Sequence, residues 1–163
     1  PTARYKLYWE RVSDDLNVAN LSEPKFVSSA DGIWLAQSQT IENANRINAN
    51  FVVIVKKNVT TSSYFVHQYL GGHIKSIEDH FGDSISLTGD AKKLAVGSWG
   101  WDHGSLGENF GSVNYYTRES TSDEFMYHQQ LIGKAANDEY GSMTLLTPDG
   151  MMLAVGALGT SFN

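Results

Sequence analysis

Apolar positions along this chain come in short runs, and turn-forming residues fill the gaps between them. Phe51-Val-Val-Ile-Val55 is the longest strongly apolar run. Ile85 to Thr88 and Leu94 to Gly97 are shorter and smaller, with Gly89-Asp90-Ala91 between them; further on, Pro148-Asp149-Gly150 stands in the same place. Gly, Asp and Pro between two apolar runs are turn chemistry, so each pair predicts a tight hairpin. Phe51 to Lys56 and Ser112 to Thr117 are β-branched and aromatic, as a third strand should be. Tyr64 to Leu70 and Phe125 to Leu131, each holding a His-Gln pair, predict a fourth. No window carries a sustained 3.6-residue apolar stripe with caps, so almost no helix is expected.

The runs repeat. Phe81 to Ser98 laid over Tyr140 to Ala157 is a shift of 59 with no gap, and 8 of 18 positions are identical, among them Gly82/Gly141, Asp90/Asp149 and Leu94-Ala-Val-Gly97/Leu153-Ala-Val-Gly156. A further step of 59 back from Asp90 reaches Asp31, where Leu35 and Ala36 are kept and Gln37-Ser38 replace Val-Gly. The His-Gln strand recurs at a shift of 61, with Leu7-Tyr-Trp-Glu-Arg-Val12 as a degenerate copy. The chain thus divides into units 1–60, 61–120 and 121–163, the first degenerate and the third incomplete. A four-stranded unit of about sixty residues with Gly-rich turns predicts an all-β fold of β-propeller-type blades.

Phe81-Gly82 with Leu94-Ala-Val-Gly97, and Tyr140-Gly141 with Leu153-Ala-Val-Gly-Ala157, resemble the frame of FG-GAP repeats. Gly111-Ser-Val-Asn-Tyr-Tyr116 is similar to the strand that usually follows. That family forms the propeller heads of integrin α chains and occurs in bacterial and algal surface proteins. The resemblance spans roughly residues 64 to 158 and implies a structural, adhesive or protein-interaction module in an extracellular or cell-surface setting. Many members bind calcium through several acidic residues in the first hairpin. Here each hairpin offers one Asp (Asp31, Asp90, Asp149), and calcium needs six to eight oxygen ligands. Turn formation by each Asp is therefore expected, with no cofactor. Asp79 and Asp138 also repeat at 59 and are expected to be structural.

Composition narrows the chemistry. Cysteine is absent, which excludes disulfides, thiolate metal sites and cysteine nucleophiles. A net charge of −6 argues against a phosphate-binding surface, so no nucleic acid is expected as a partner. The apolar runs fall far short of a membrane span, so no membrane insertion is expected. His73, His80 and His103 lack metal-ligand spacing, no metal site is expected, and no nucleophile elbow, phosphate loop or dinucleotide fingerprint occurs. His67 and His128 recur in equivalent strands, which marks scaffold, because function is grafted onto a fold and not duplicated with it. The expectation is a protein that is not an enzyme.

The best non-repeated feature is Ser98 to Asn109, with Trp99, Trp101, Asp102 and His103 as candidate ligand or partner contacts. Non-repeated loops on repeated scaffolds are where specificity usually sits. Trp at an exposed site can stack on a sugar, which gives an alternative reading as a carbohydrate-binding propeller, with glycans as partners. The competing expectation is that Trp99 covers the end of a core while Trp101 packs on its neighbour. The sequons Asn20-Leu-Ser22 and Asn58-Val-Thr60 are candidate glycosylation sites between strands. The chain opens at Pro1 with no visible secretory signal, which fits a processed chain or a piece of a longer one. Some eleven strands at four per blade make about 2.75 blades, an open arc. Further blades from the same parent chain, another copy or another subunit are the expected partners.

Overall fold

The computed structural model describes residues 25–41, 49–71 and 77–159. Ten strands form three antiparallel sheets. The first holds β1 (Phe26–Ser28), β2 (Trp34–Ile41), β3 (Ala49–Lys57) and β4 (Tyr64–Gly71) in sequence order. The second holds β5 (Ser84–Leu87), β6 (Lys93–Ser98), β7 (Ser112–Thr117) and β8 (Met126–Ile132), again in order. β9 (Tyr140–Leu146) and β10 (Leu153–Ala157) pair as the third. Among the described residues there is no α-helix, only three-residue 3-10 turns at Ile77–Asp79 and Gly104–Leu106. The strand expected over Tyr5–Val12 lies outside the described residues. A period has no intrinsic starting point. The units 61–120 and 121–163 each open on the His-Gln strand that closes the preceding sheet.

Each hairpin is built the same way three times. Ser29, Thr88 and Thr147 donate their hydroxyls to the Oδ1 of Asp31, Asp90 and Asp149, at 2.5, 2.7 and 2.6 Å. The same oxygens accept the amides of Ile33, Lys92 and Met151, each at 3.0 Å. The Ser29 hydroxyl and the Ile33 amide hold Asp31 below its ordinary pKa. For Asp90, burial pushes upward but is outweighed by the Thr88 hydroxyl, the Lys92 amide and two lysine charges. The three aspartates are turn formers, each spending its carboxylate on its own loop.

Two cores lie between the sheets. Trp34, Ala36, Val52, Ile54 and Leu70 of the first sheet meet Ile85, Leu94, Val96 and Tyr116 of the second, with Phe81 and Phe125 from its loops. Ala95 and Val113, on the other face of the second sheet, meet Leu146 of the third, with Leu153 and Val155 packed alongside. Successive strand residues point to opposite faces, so Leu94-Ala-Val96 feeds both cores. β3 is buried on both faces, with Phe51, Val53 and Val55 in a third cluster, which is why it reads as an unbroken apolar run.

The Phe-Gly and Val-Gly pairs meet across the sheets. A Cβ on Gly97 would stand 2.0 Å from the Gly141 carbonyl oxygen, so the backbones touch there. At the equivalent junction a Cβ on Gly82 would stand 3.2 Å from the Cβ of Ser38, so the serine of the degenerate first unit fits where the spacing is wider.

The recurring histidines also have a structural cause. In the pairing of β3 with β4 the register slips so that Ile54 faces Gln68 and Val55 faces Val66, leaving His67 as the extra residue of a bulge. His128 is the extra residue of the same bulge in β8. A bulge re-aims side chains. His67 meets Trp34 edge-on at 4.9 Å and its Nε2 donates to the Asp123 carbonyl at 3.0 Å.

Candidate functional site, the loop between β6 and β7

The loop from Trp99 to Gly111 leaves β6 and returns to β7. Trp101 N–H closes its first turn on the Ser98 carbonyl, and Gly111 N–H bonds the Trp101 carbonyl at 2.9 Å. Gly100 allows the loop to lie on the chain at Glu78, since a Cβ there would be 1.9 Å from the Glu78 carbonyl oxygen. Asp102 is exposed and accepts the Asn109 amide at 2.8 Å, so its first task is to shape the loop.

The two indoles find different partners. Trp99 is half-buried, donates from Nε1 to Asp83 Oδ2 at 2.7 Å, and stacks on His80 with ring centroids 3.9 Å apart. His80 Nδ1 stands 3.4 Å from the same carboxylate oxygen, and Lys25 Nζ donates to the Asp83 carbonyl at 2.5 Å. One face of Trp99 is therefore taken by His80. Trp101 is also half-buried and meets His103 edge-on at 5.6 Å, and His103 leans on the buried Phe110 at 5.4 Å. Its Nε1 is buried without a hydrogen-bond partner among the described residues. The loop thus presents a Trp99–His80–Asp83 cluster and a Trp101–His103–Phe110 row, with Asp102 exposed beside the row.

Sequence reasoning singled out Trp99 to His103 but missed His80 and Asp83. A signal was there: His80, Asp83 and Trp99 are replaced by Glu139, Ser142 and Leu158 one period later, so three departures from the repeat fall in one unit and meet in space. Asn58 is exposed in the turn between β3 and β4, where its side-chain oxygen accepts the Thr60 and Thr61 amides. The nitrogen, the atom that a glycan would join, takes part in neither bond. Asn20 lies outside the described residues.

The asymmetry between the indoles gives a test. Trp99→Phe and Trp101→Phe remove similar ring area, but only the first breaks a hydrogen bond to a carboxylate. We expect Trp99→Phe to cost about 1 kcal/mol more in urea unfolding, because Trp101→Phe deletes a buried donor that has no partner. Equal losses would show that Asp83 does not hold Trp99.

No family model matches the chain, and no curated protein matches it. Among solved structures it is similar to a chain of Kuenenia stuttgartiensis hydrazine synthase, with a TM-score of 0.53 and 12% identity. The match covers 82% of this chain and 42% of that one, so this chain spans about half the length of its neighbour. The likeness is one of fold. It agrees with an all-β architecture of antiparallel four-stranded sheets.

Proposed function

We propose that the chain is a non-enzymatic structural or adhesive module of an extracellular or cell-surface assembly, built from FG-GAP-like propeller blades. The observation that carries this reading is the repeated junction. The hairpin tips are joined at both junctions by the same amide-to-carbonyl bond, and Gly82 and Gly141 each lie against the preceding sheet, so the sequence is spent on attaching one sheet to the next. In this reading the described sheets are two blades and the inner half of a third, and the arc takes further blades from the same parent chain, another copy or another subunit. The likeness to a chain about twice as long supports room for them. The aspartates of the hairpins serve the turns, so the module holds its shape without calcium.

A carbohydrate-binding reading rests on the half-buried Trp101 beside the exposed Asp102. A glycan array separates the two, and the absence of any glycan-dependent signal removes the second. The module reading is tested by solution mass with hydrogen exchange at β10. Association, or fast exchange at β10 in a lone chain, is the expected result. A monodisperse 18.0 kDa monomer whose β10 amides are as protected as those of β7 would overturn it.

A further inference from the structure

The turn between β3 and β4 carries the triplet Asn58-Val-Thr60, which the module reading leaves unused. The Asn58 amide closes the turn on the Ser63 carbonyl at 2.7 Å, and the Ser62 amide returns to the Asn58 carbonyl at 2.8 Å. Every residue from Asn58 to Ser63 is exposed, Val59 by 69%. The Asn58 side chain is fixed within this turn. Its Oδ1 accepts the Thr60 amide at 2.9 Å and the Thr61 amide at 3.2 Å. Only the oxygen of a carboxamide can accept two N–H groups, so the oxygen faces the turn. Nδ2 sits on the other side of the same planar carbon and faces away. Among the described residues, neither Asn58 Nδ2 nor Thr60 Oγ1 takes part in a hydrogen bond.

We infer that Asn58 is a site of asparagine-linked glycosylation. The inference rests on the extracellular setting of the reading above and adds a modification to it. Transfer joins Asn58 Nδ2 to the anomeric carbon of a sugar carried on a lipid diphosphate. The bond from that carbon to the phosphate oxygen breaks, the lipid diphosphate leaves, and one amide proton passes to a base of the transferase. Such an acceptor needs an open carboxamide nitrogen, a hydroxyl two residues on and no proline between them, and this turn supplies all three. The second sheet shows that packing does not close the place. At a shift of 61, Asn58 and Thr60 become Glu119 and Thr121. That sheet is packed on both faces, against Trp34 and Ile54 on one side and Leu146 on the other. Its turn even reaches back to the first sheet, where the Asp123 carbonyl meets His67 and the Phe125 amide meets Gln68. Glu119 and Ser120 stay exposed all the same. A further blade laid on the first sheet in the same way therefore leaves Asn58 open, and a glycan there projects from a turn clear of both junctions.

The test is peptide mapping by mass of the native protein, with variants made in the full chain secreted from a eukaryotic cell. The Asn58 peptide is expected to carry a hexosamine-linked glycan, released by an amidase that leaves aspartate in its place. Asn58→Asp keeps the oxygen that holds the turn and removes the nitrogen, so it should abolish the modification at this site while leaving the urea midpoint where it was. Thr60→Ala should abolish it as well, and Thr60→Ser should retain it. Glu119→Asn completes the same triplet with Thr121 and is expected to gain a glycan at the equivalent turn. An Asn58 peptide of unmodified mass in the native protein overturns the inference. A secreted chain glycosylated at Asn20, or at position 119 of the Glu119→Asn variant, but not at Asn58 overturns it likewise and leaves the module reading standing. Failure of the module reading shows elsewhere, in the solution mass of the deglycosylated chain and in the protection of β10.

Discussion

Arg118→Leu is expected to lower the stability of the fold by about 3 kcal/mol, and Arg118→Lys to recover only part of that loss. The guanidinium is buried between two rings, with its carbon 4.0 Å from the centroid of Trp34 and 4.3 Å from that of Phe125. Nε donates to the Ala91 carbonyl at 2.8 Å and Nη1 to the Asp123 carbonyl at 3.2 Å. Trp34 belongs to the first sheet, whereas Ala91, Asp123 and Phe125 belong to the second, so one side chain ties turn, loop and neighbouring sheet together. Burial pulls its pKa down to about 10, opposed by the charges of Asp123 and Asp90, so it remains charged at neutral pH. Leucine removes that desolvation cost but orphans two carbonyls, at about 1–3 kcal/mol each, and gives up the ring contacts. Lysine keeps the charge and loses the planar fork. Thermal unfolding is the check, with a fall of roughly 5–12 °C expected for a chain of this size. A midpoint within a degree of the parent would mean that the rings alone hold the junction.

Gly97→Ala should be at least as damaging, by about 3 kcal/mol or more, because overpacking of a tight contact forces backbone movement. The added methyl would stand 2.0 Å from the Gly141 carbonyl oxygen and 2.2 Å from Ser84 Oγ, and neither can withdraw without opening the second junction. Ser38→Gly, the reverse change at the equivalent position, should cost only about 1 kcal/mol through chain entropy. Urea midpoints for the two variants provide the comparison. Similar values would mean that the junctions are equally loose and that the glycine is not required.

How much of this was legible in the sequence depends on the range of the interaction. β7 matches its expected bounds, and β5, β6 and β4 lie within a residue or two of theirs, because apolar alternation and Asp-containing turns are local signals. The turn at Asp90 was disguised only by Ala91, which takes a φ of 58° where Gly32 and Gly150 occupy the same position in the other hairpins. The hydrogen bonds that make each Asp a turn former span two residues, and the expectation matched them. Arg118 was illegible. Nothing near it announces that a ring 84 residues earlier and one 7 residues later will enclose it. The His80–Asp83–Trp99 cluster is of the same kind, since stacking and the indole hydrogen bond join two loops that only the sheet brings side by side. The bulges at His67 and His128 lie in between: the repeat flagged the residue, but the slip in register belongs to the pairing.

One thread runs through the hairpin tips. The Ala30 amide donates to the Gly89 carbonyl at 3.0 Å, and the Gly89 amide to the Pro148 carbonyl at 3.0 Å, so three residues spaced by 59 are strung together. At the first junction the Phe125 amide is also held by Gln68 at 2.7 Å. Each junction therefore owns a proton whose exchange with solvent requires that junction, and not its neighbour, to part. In an array whose stability is a sum of unit and nearest-neighbour terms, those protons are separate clocks. Ala30 and Phe125 time the parting of the first sheet from the second, and Gly89 times that of the second from the third. Among the described residues, stability thereby divides into two readable quantities, one for each seam.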